Sequence, residues 1–141
     1  MVNAGVMALL GGLAAQAAKV LWEAVARRRW RPALFLHNGG MPSSHAATVT
    51  VLALAIGTAS GFDSALFSLV LIFGLFVIFE ATGLRQEVGK QAELLNELME
   101  TAIEGRQIRR VKLRELVGHT WAEVCGGIVF GALFWYLVYQ I

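Results

Sequence analysis

Leu69-Val70-Leu71-Ile72-Phe73-Gly74-Leu75-Phe76-Val77-Ile78-Phe79 contains no polar side chain and lies within a longer apolar stretch, residues 64–82. A strand seldom exceeds ~10 residues, whereas ~20 apolar residues at 1.5 Å each cross the ~30 Å of bilayer hydrocarbon. The stretch therefore reads as a transmembrane helix. Three others have comparable length and apolarity, at residues 4–26, 46–62 and 121–141. The chain is expected to be an all-α, polytopic membrane protein. It forms one integral membrane domain over residues 1–141, with four spans and a connector over residues 83–118.

Composition agrees with that reading and narrows the function classes. Hydrophobic residues make up 57% of the 141 and charged residues 16%, against roughly 45–50% and about 25% in soluble domains. Mean hydropathy is +0.61. Cys125 is the only cysteine, which excludes a disulfide scaffold and a cysteine-based zinc cluster. The apolar content excludes a disordered chain. The pI is near 9.0, yet the net charge is only +2, so the placement of charge matters more than its amount, and nucleic acid is not an expected partner.

Every basic residue falls in one of two regions. Lys19, Arg27, Arg28, Arg29 and Arg31 lie at or beyond the end of the first span, and Arg85, Lys90, Arg106, Arg109, Arg110, Lys112 and Arg114 lie between the third and fourth. The turn at Gly61-Phe62-Asp63 has none. With four spans both basic regions fall on one side, which the positive-inside rule makes cytoplasmic. Both termini are then outside a cell (inner) membrane. Trp135, Tyr136 and Tyr139 fit an outer aromatic belt, and Trp22, Trp30 and Trp121 an inner one. Ala15-Gln16-Ala17 has the look of a signal-peptidase site, but no basic residue precedes Lys19 and an arginine cluster follows the apolar run, so a retained span is expected.

In the connector, Val88, Ala92, Leu95, Met99 and Ala102-Ile103 recur at helical spacing, with Glu93, Glu97, Glu100 and Glu104 between them. This pattern predicts an amphipathic helix at the membrane interface, followed by a basic amphipathic stretch suited to anionic lipid; a solvated helical hairpin is the alternative. Gly57…Gly61 and Gly127…Gly131, with Gly126 alongside, predict close helix contacts.

Polar residues inside spans are costly and therefore informative. Lys19 could snorkel to the cytoplasmic surface with Glu23 one turn away, and Glu80 lies near the cytoplasmic end of the third span. Gly39-Gly40-Met41-Pro42-Ser43-Ser44-His45 reads as a turn entering a helix. Pro42 suits its first turn, and Ser43 and Ser44 bring hydroxyls and backbone N–H groups to an anion-binding helix N-terminus. His45 follows in the first turn. His119 opens the fourth span, and Glu123 stands one turn later on the same face. Its carboxylate can fix one ring nitrogen and leave the other to attack. The topology places His45, His119, Lys19, Arg28, Arg85 and Glu80 at one membrane level. These are the parts needed for phosphoryl transfer through a phosphohistidine, with one His attacking phosphorus and the other protonating the leaving oxygen. His37 stays unassigned.

These residues resemble the type 2 phosphatidic acid phosphatase superfamily, which includes the vanadium-dependent haloperoxidases, and more closely its small divergent branch. The resemblance spans nearly the whole chain. It rests on Gly39 to His45, on Glu80-Ala81-Thr82-Gly83-Leu84-Arg85 with Gly89-Lys90-Gln91-Ala92 and Leu95-Asn96, and on Glu115-Leu116-Val117-Gly118-His119 with Glu123-Val124. It implies His119 as nucleophile, His45 as general acid and Glu123 as the carboxylate orienting His119. It also implies Lys19, Arg28, Ser43, Ser44, Arg85 and Lys90 as phosphate-binding groups, with Glu80 and Arg114 as additional candidates. The pattern departs at several points: Ser44 replaces a Gly, Glu123 an Asp, and Leu113 stands where the last motif has Arg, with Arg114 one position off. Arg85 is expected to take over that role. Four spans replace the usual six.

The implied activity is lipid phosphate or pyrophosphate hydrolysis at the cytoplasmic face, by a metal-independent enzyme without cofactor. Glu80, Glu87 and Glu123 form no recognised metal motif. The competing readings are a non-catalytic lipid-phosphate binder and a small transporter subunit. A homodimer is the expected assembly of so thin a bundle.

Overall fold

The computed structural model describes residues 3–26, 28, 30–36, 40–102 and 118–140. Among the described residues all regular structure is helical: α1 (Ala4–Ala26), a short 3-10 turn (Pro32–Leu36), α2 (Ser44–Ser60), α3 (Ala65–Phe79), one π-helical turn (Glu80–Leu84), α4 (Arg85–Ala102) and α5 (Trp121–Tyr139). The expected all-α architecture is what the chain adopts, and the spans read from hydropathy match α1, α2, α3 and α5 to within a few residues.

Local chemistry sets the helix ends. The Asn3 side chain accepts from the N–H groups of Gly5 and Val6. Ser43 caps α2 by accepting from the Ala46 N–H, and Ser64 caps α3 by accepting from the Phe67 N–H. Thr120 and Glu123 form a reciprocal capping box on α5, satisfying two donors that a bare helix start would leave open. Gly61 ends α2 with φ +93°, a left-handed backbone that favours glycine.

Helices Ala4–Ala26 and Trp121–Tyr139 and the continuous helical run Ala65–Met99 are long and apolar enough to cross a membrane, while Ser44–Ser60 is a shorter apolar helix. At 17 residues, α2 is ~26 Å long, at the lower limit for a span. It compensates by position, packing against α1, α3 and α5, while α1 also meets α5. Met7, Ala8, Val51 and Ala55 form the core, joined by Leu52, Phe134, Trp135 and Val138. Large side chains such as Leu69, Phe73 and Phe76 point outward. In water that surface would drive aggregation; in hydrocarbon it is the solvent-matched face, and association depends on close packing.

Glycines provide much of that close packing. A Cβ at Gly131 would stand 2.7 Å from the Ala47 carbonyl oxygen, and one at Gly127 would collide with the Ser43 carbonyl and approach Ala46 Cβ at 2.8 Å. Gly127 and Gly131 thus make the helix contact expected of them. The Gly57–Gly61 pair does not: Gly57 gives room to the Phe62 ring, and Gly61 serves as the cap. Gly11 and Gly12, which no spacing rule singled out, let α1 approach Val51 and Thr48 of α2.

One other expectation is corrected and two gain detail. Pro42 precedes the helix rather than occupying its first turn, because Ser43 is the cap. On α4 the buried stripe is Gly89, Ala92 and Asn96, while Val88 and Leu95 are exposed; the buried side is chosen by small size as much as by apolarity. Trp135 is partly withdrawn from the outer belt. It packs on the core and stacks on Tyr139 at 5.0 Å, and its ring nitrogen is buried without a hydrogen-bond partner among the described residues. The basic stretch from Arg106 to Arg114 lies outside the described residues, as do His37 and Gly39.

Candidate functional site

The site is assembled where the N-termini of α2 and α5 meet the π-turn that follows α3. The two helix starts are joined through the backbone: the Ser43 N–H donates to the Glu123 carbonyl at 3.0 Å. The Ser43 hydroxyl accepts from Ala46 N–H at 3.4 Å. The Ser43 N–H and the hydroxyl oxygen therefore hold the fold, while the hydroxyl keeps its own O–H to donate. The N–H groups that open α2 still give its start a positive field.

His119 is 1% exposed. Gly118, with φ +113°, turns the chain into it. Its backbone N–H donates to the Ala81 carbonyl at 3.0 Å, tying the start of α5 to the π-turn. Single π-turns within helices often mark functional positions, because the widened backbone frees a group for another partner. On the side chain, Nδ1 lies 3.1 Å from Glu123 Oε2. The same oxygen accepts from Thr120 N–H at 3.1 Å. A carboxylate held by the cap on one side and the ring on the other fixes Nδ1 as the protonated nitrogen and turns Nε2 away from Glu123.

His45 stands beside it. The two imidazole centroids are 5.7 Å apart, with the rings edge-to-face at 69°. Lys19 completes the cluster from α1. It does not snorkel to the surface: it is 4% exposed, its Nζ donates to Gln16 Oε1 at 2.7 Å, and its charge interacts with that of Glu123. Gly40, with φ +86°, passes over it, and a Cβ there would stand 3.3 Å from Lys19 Cδ. Met41 covers Gly126 of α5. Gly40 and Met41 therefore bridge Lys19 of α1 and Gly126 of α5.

The structure thus brings together His45, His119, Glu123, Lys19 and the Ser43–Ser44 helix start. Arg28 is exposed, with φ +51°. Lys90 is exposed and pairs with Glu87 at 2.7 Å. Neither shares the buried position of Lys19. Glu80 is exposed at the start of the π-turn, and Arg85 begins α4. Arg114 lies outside the described residues. Among the described residues no three His, Cys, Asp or Glu side chains are grouped to hold a metal ion.

Three participants escaped the sequence reading: Gln16, the Ala81 carbonyl and the Glu123 carbonyl. Gln16 had a signal, being polar within a span three residues before Lys19. The two carbonyls had none, because backbone acceptors carry no sequence mark.

Replacing Glu123 by Gln keeps the shape and removes the charge facing His119 and Lys19. If His119 is the nucleophile, kcat for phosphate release falls by about 10²-fold or more with little change in KM, as when a triad carboxylate is neutralised. Steady-state kinetics of Glu123→Gln provide the check.

The comparisons with known proteins identify a family. The model of a family described as the divergent PAP2 family matches residues 3–134. The chain is 35% identical over 140 residues to an uncharacterized membrane protein of Bacillus subtilis (strain 168), YuiD, with 89% of each chain covered. No solved structure matches the chain.

Proposed function

The chain belongs to the divergent PAP2 family, and from that premise we propose that this membrane protein is a lipid phosphatase, hydrolysing a lipid phosphate or pyrophosphate at the cytoplasmic membrane face through a phosphohistidine. The observation that carries the reading is the His45–His119 pair at 5.7 Å, with His119 oriented by Glu123. A phosphoryl group lying against both rings can be attacked by one while its leaving oxygen is protonated by the other. His119 Nε2 forms a bond to phosphorus as the phosphorus–alkoxide bond breaks, and His45 gives its proton to the departing oxygen. Water then attacks the phosphohistidine, losing its proton to His45, and inorganic phosphate leaves. Lys19 and the start of α2 stabilise charge on the remaining oxygens.

The placement of both histidines at the ends of spans, level with headgroups, favours a lipid phosphate over a soluble one. The basic regions favour a cytoplasmic site, both termini outside and a cell (inner) membrane. A non-catalytic phosphate binder shares the same pocket and differs only in lacking turnover.

Purified protein in detergent, given phosphatidic acid, phosphatidylglycerol phosphate and polyprenyl phosphates, is expected to release inorganic phosphate from at least one. No release from any of them, with vanadate still raising the melting temperature, would instead establish the binder. A second expectation concerns Lys19. Lys19→Gln raises KM for lipid phosphate, and the Kd for inorganic phosphate, by about 10-fold or more, the loss of one charge-assisted contact of about 1.5–3 kcal/mol. Calorimetric titration with phosphate checks it, and an unchanged Kd would remove Lys19 from the phosphate site.

A further inference from the structure

Between α2, α3 and α5 lies an apolar groove of about 290 Å³. Its walls include Val49 and Ala53 of α2, Leu71, Gly74 and Ile78 of α3, and Ile128 of α5. It lies within the spans, so water is not its natural content. Its volume takes about ten groups the size of a methylene, each occupying roughly the ~30 Å³ of a water molecule. That is room for one hydrocarbon chain rather than two.

The groove is in register with the histidines. His45, Val49, Ala53 and Gly57 stand four residues apart and form one ridge of α2. His45 is in the site, Val49 and Ala53 line the groove, and Gly57 receives the ring of Phe62. The ridge is ~18 Å long at 1.5 Å per residue. On α5, Ile128 directly follows Gly127, whose backbone rests on Ser43. On α3, Ile78 lies one turn before Thr82 of the π-turn that binds His119. On all three helices the lining thus stops within about one turn of residues that build the site. At the outer end Phe62 and Phe67 face each other edge-on at 5.1 Å, and both belong to the lining.

We infer that this groove holds a single hydrocarbon chain of the phosphate-bearing lipid, and that Phe62, seated on Gly57, closes its far end and sets the length of chain that packs. The inference rests on the phosphatase reading for the identity of the headgroup. Its own content, the path of the chain and its stop, is separate. Gly57 has a reason here: a side chain at that position would expel the Phe62 ring. Apolar lining gives no preference among saturated, unsaturated or isoprenoid chains, so the shared chemistry is one extended hydrocarbon tail.

The test uses the full-length protein in nanodiscs with an alkyl phosphate carrying a photoactivatable diazirine near the tenth carbon. After irradiation, mass spectrometry is expected to find the label on groove residues of α2 and α3 near Phe62, and inorganic vanadate is expected to remove most of it. Labelling spread over outward residues such as Leu9, Leu69 and Phe76 would overturn the inference, as bulk lipid would give. So would groove labelling that vanadate leaves intact, since the occupant would then be a structural lipid or a second copy's helix rather than the ligand of the site. Unlabelled alkyl phosphates of graded length, compared at equal membrane mole fraction, are expected to compete better up to about ten carbons and then level off. In Phe62→Ala the improvement continues to longer chains; in Ala53→Phe it stops several carbons earlier. Identical length profiles in all three proteins would remove Phe62 as the stop. Loss of hydrolysis with intact, vanadate-sensitive groove labelling would sink the phosphatase reading and leave the chain slot standing.

Discussion

His119→Ala is expected to abolish phosphate release from every lipid phosphate that the wild-type protein turns over, a fall of at least about 10³-fold in kcat, the scale seen when a nucleophile is removed. The residue is buried and held at three points: ring Nδ1 by Glu123, the backbone N–H by the Ala81 carbonyl, and the flank of the ring by His45. No described side chain offers the same atom in the same place. Truncation also empties a packed position, so part of any effect is stability, of the order of 1–3 kcal/mol. His119→Gln, which retains most of the volume, separates the two. It is expected to melt close to wild type and remain inactive. His45→Ala behaves differently. With a poor alkoxide leaving group it is also inactive, but with p-nitrophenyl phosphate, whose leaving group needs no proton, it still forms the phosphoenzyme. Rapid quench at alkaline pH, where phosphohistidine survives, distinguishes them. Phosphate release that survives His119→Ala would end the assignment.

Gly127→Leu is expected to collapse the bundle. The new side chain meets the Ser43 carbonyl and Ala46 Cβ, and α5 can make room only by moving off α2. Inserting even one methylene into a packed core costs about 1–3 kcal/mol, and here the obstacle is backbone, so the larger end or beyond applies. The melting temperature should fall by roughly 5 °C or more, on the scale of a ~140-residue domain. The loss extends to function, because the same contact carries the Ser43 N–H to the Glu123 carbonyl, and Glu123 holds His119. Vanadate should therefore stabilise Gly127→Leu much less than wild type. Gly83→Ala supplies the contrast. A Cβ there has nothing within 4 Å, so that variant should melt at or slightly above the wild-type temperature. A Gly127→Leu protein with unchanged melting and vanadate response would mean that α2 and α5 are not in contact at this point.

Much of the candidate site was legible because its chemistry resides in side chains with few other uses. Two histidines at span starts, a carboxylate one turn after the second, and a lysine within a span all carry high cost in hydrocarbon and low ambiguity. The misreadings have a common cause. Pro42 reads as part of the first turn of α2 because proline suits that position, yet Ser43 is the cap and Pro42 precedes it. The Gly57–Gly61 pair was read as a helix contact, although one glycine houses a ring and the other turns the chain.

By itself the sequence determined the number and extent of the apolar helices and their all-α character. Each of these follows from the cost of placing polar groups in hydrocarbon, a property of residues taken singly or in short windows. It also singled out the two histidines, the carboxylate and the lysine that the fold brings together. Tertiary structure alone decided that His45 and His119 are neighbours, that Lys19 is buried against Gln16 rather than snorkelling, and that the π-turn after α3 holds the start of α5. It alone also decided that an apolar groove lies between α2, α3 and α5, with Phe62 in its lining. Those facts depend on how closely backbones approach at Gly12, Gly127 and Gly131 and on carbonyls that bear no sequence mark. Close approach is a relation between helices, and no window along one chain segment contains it.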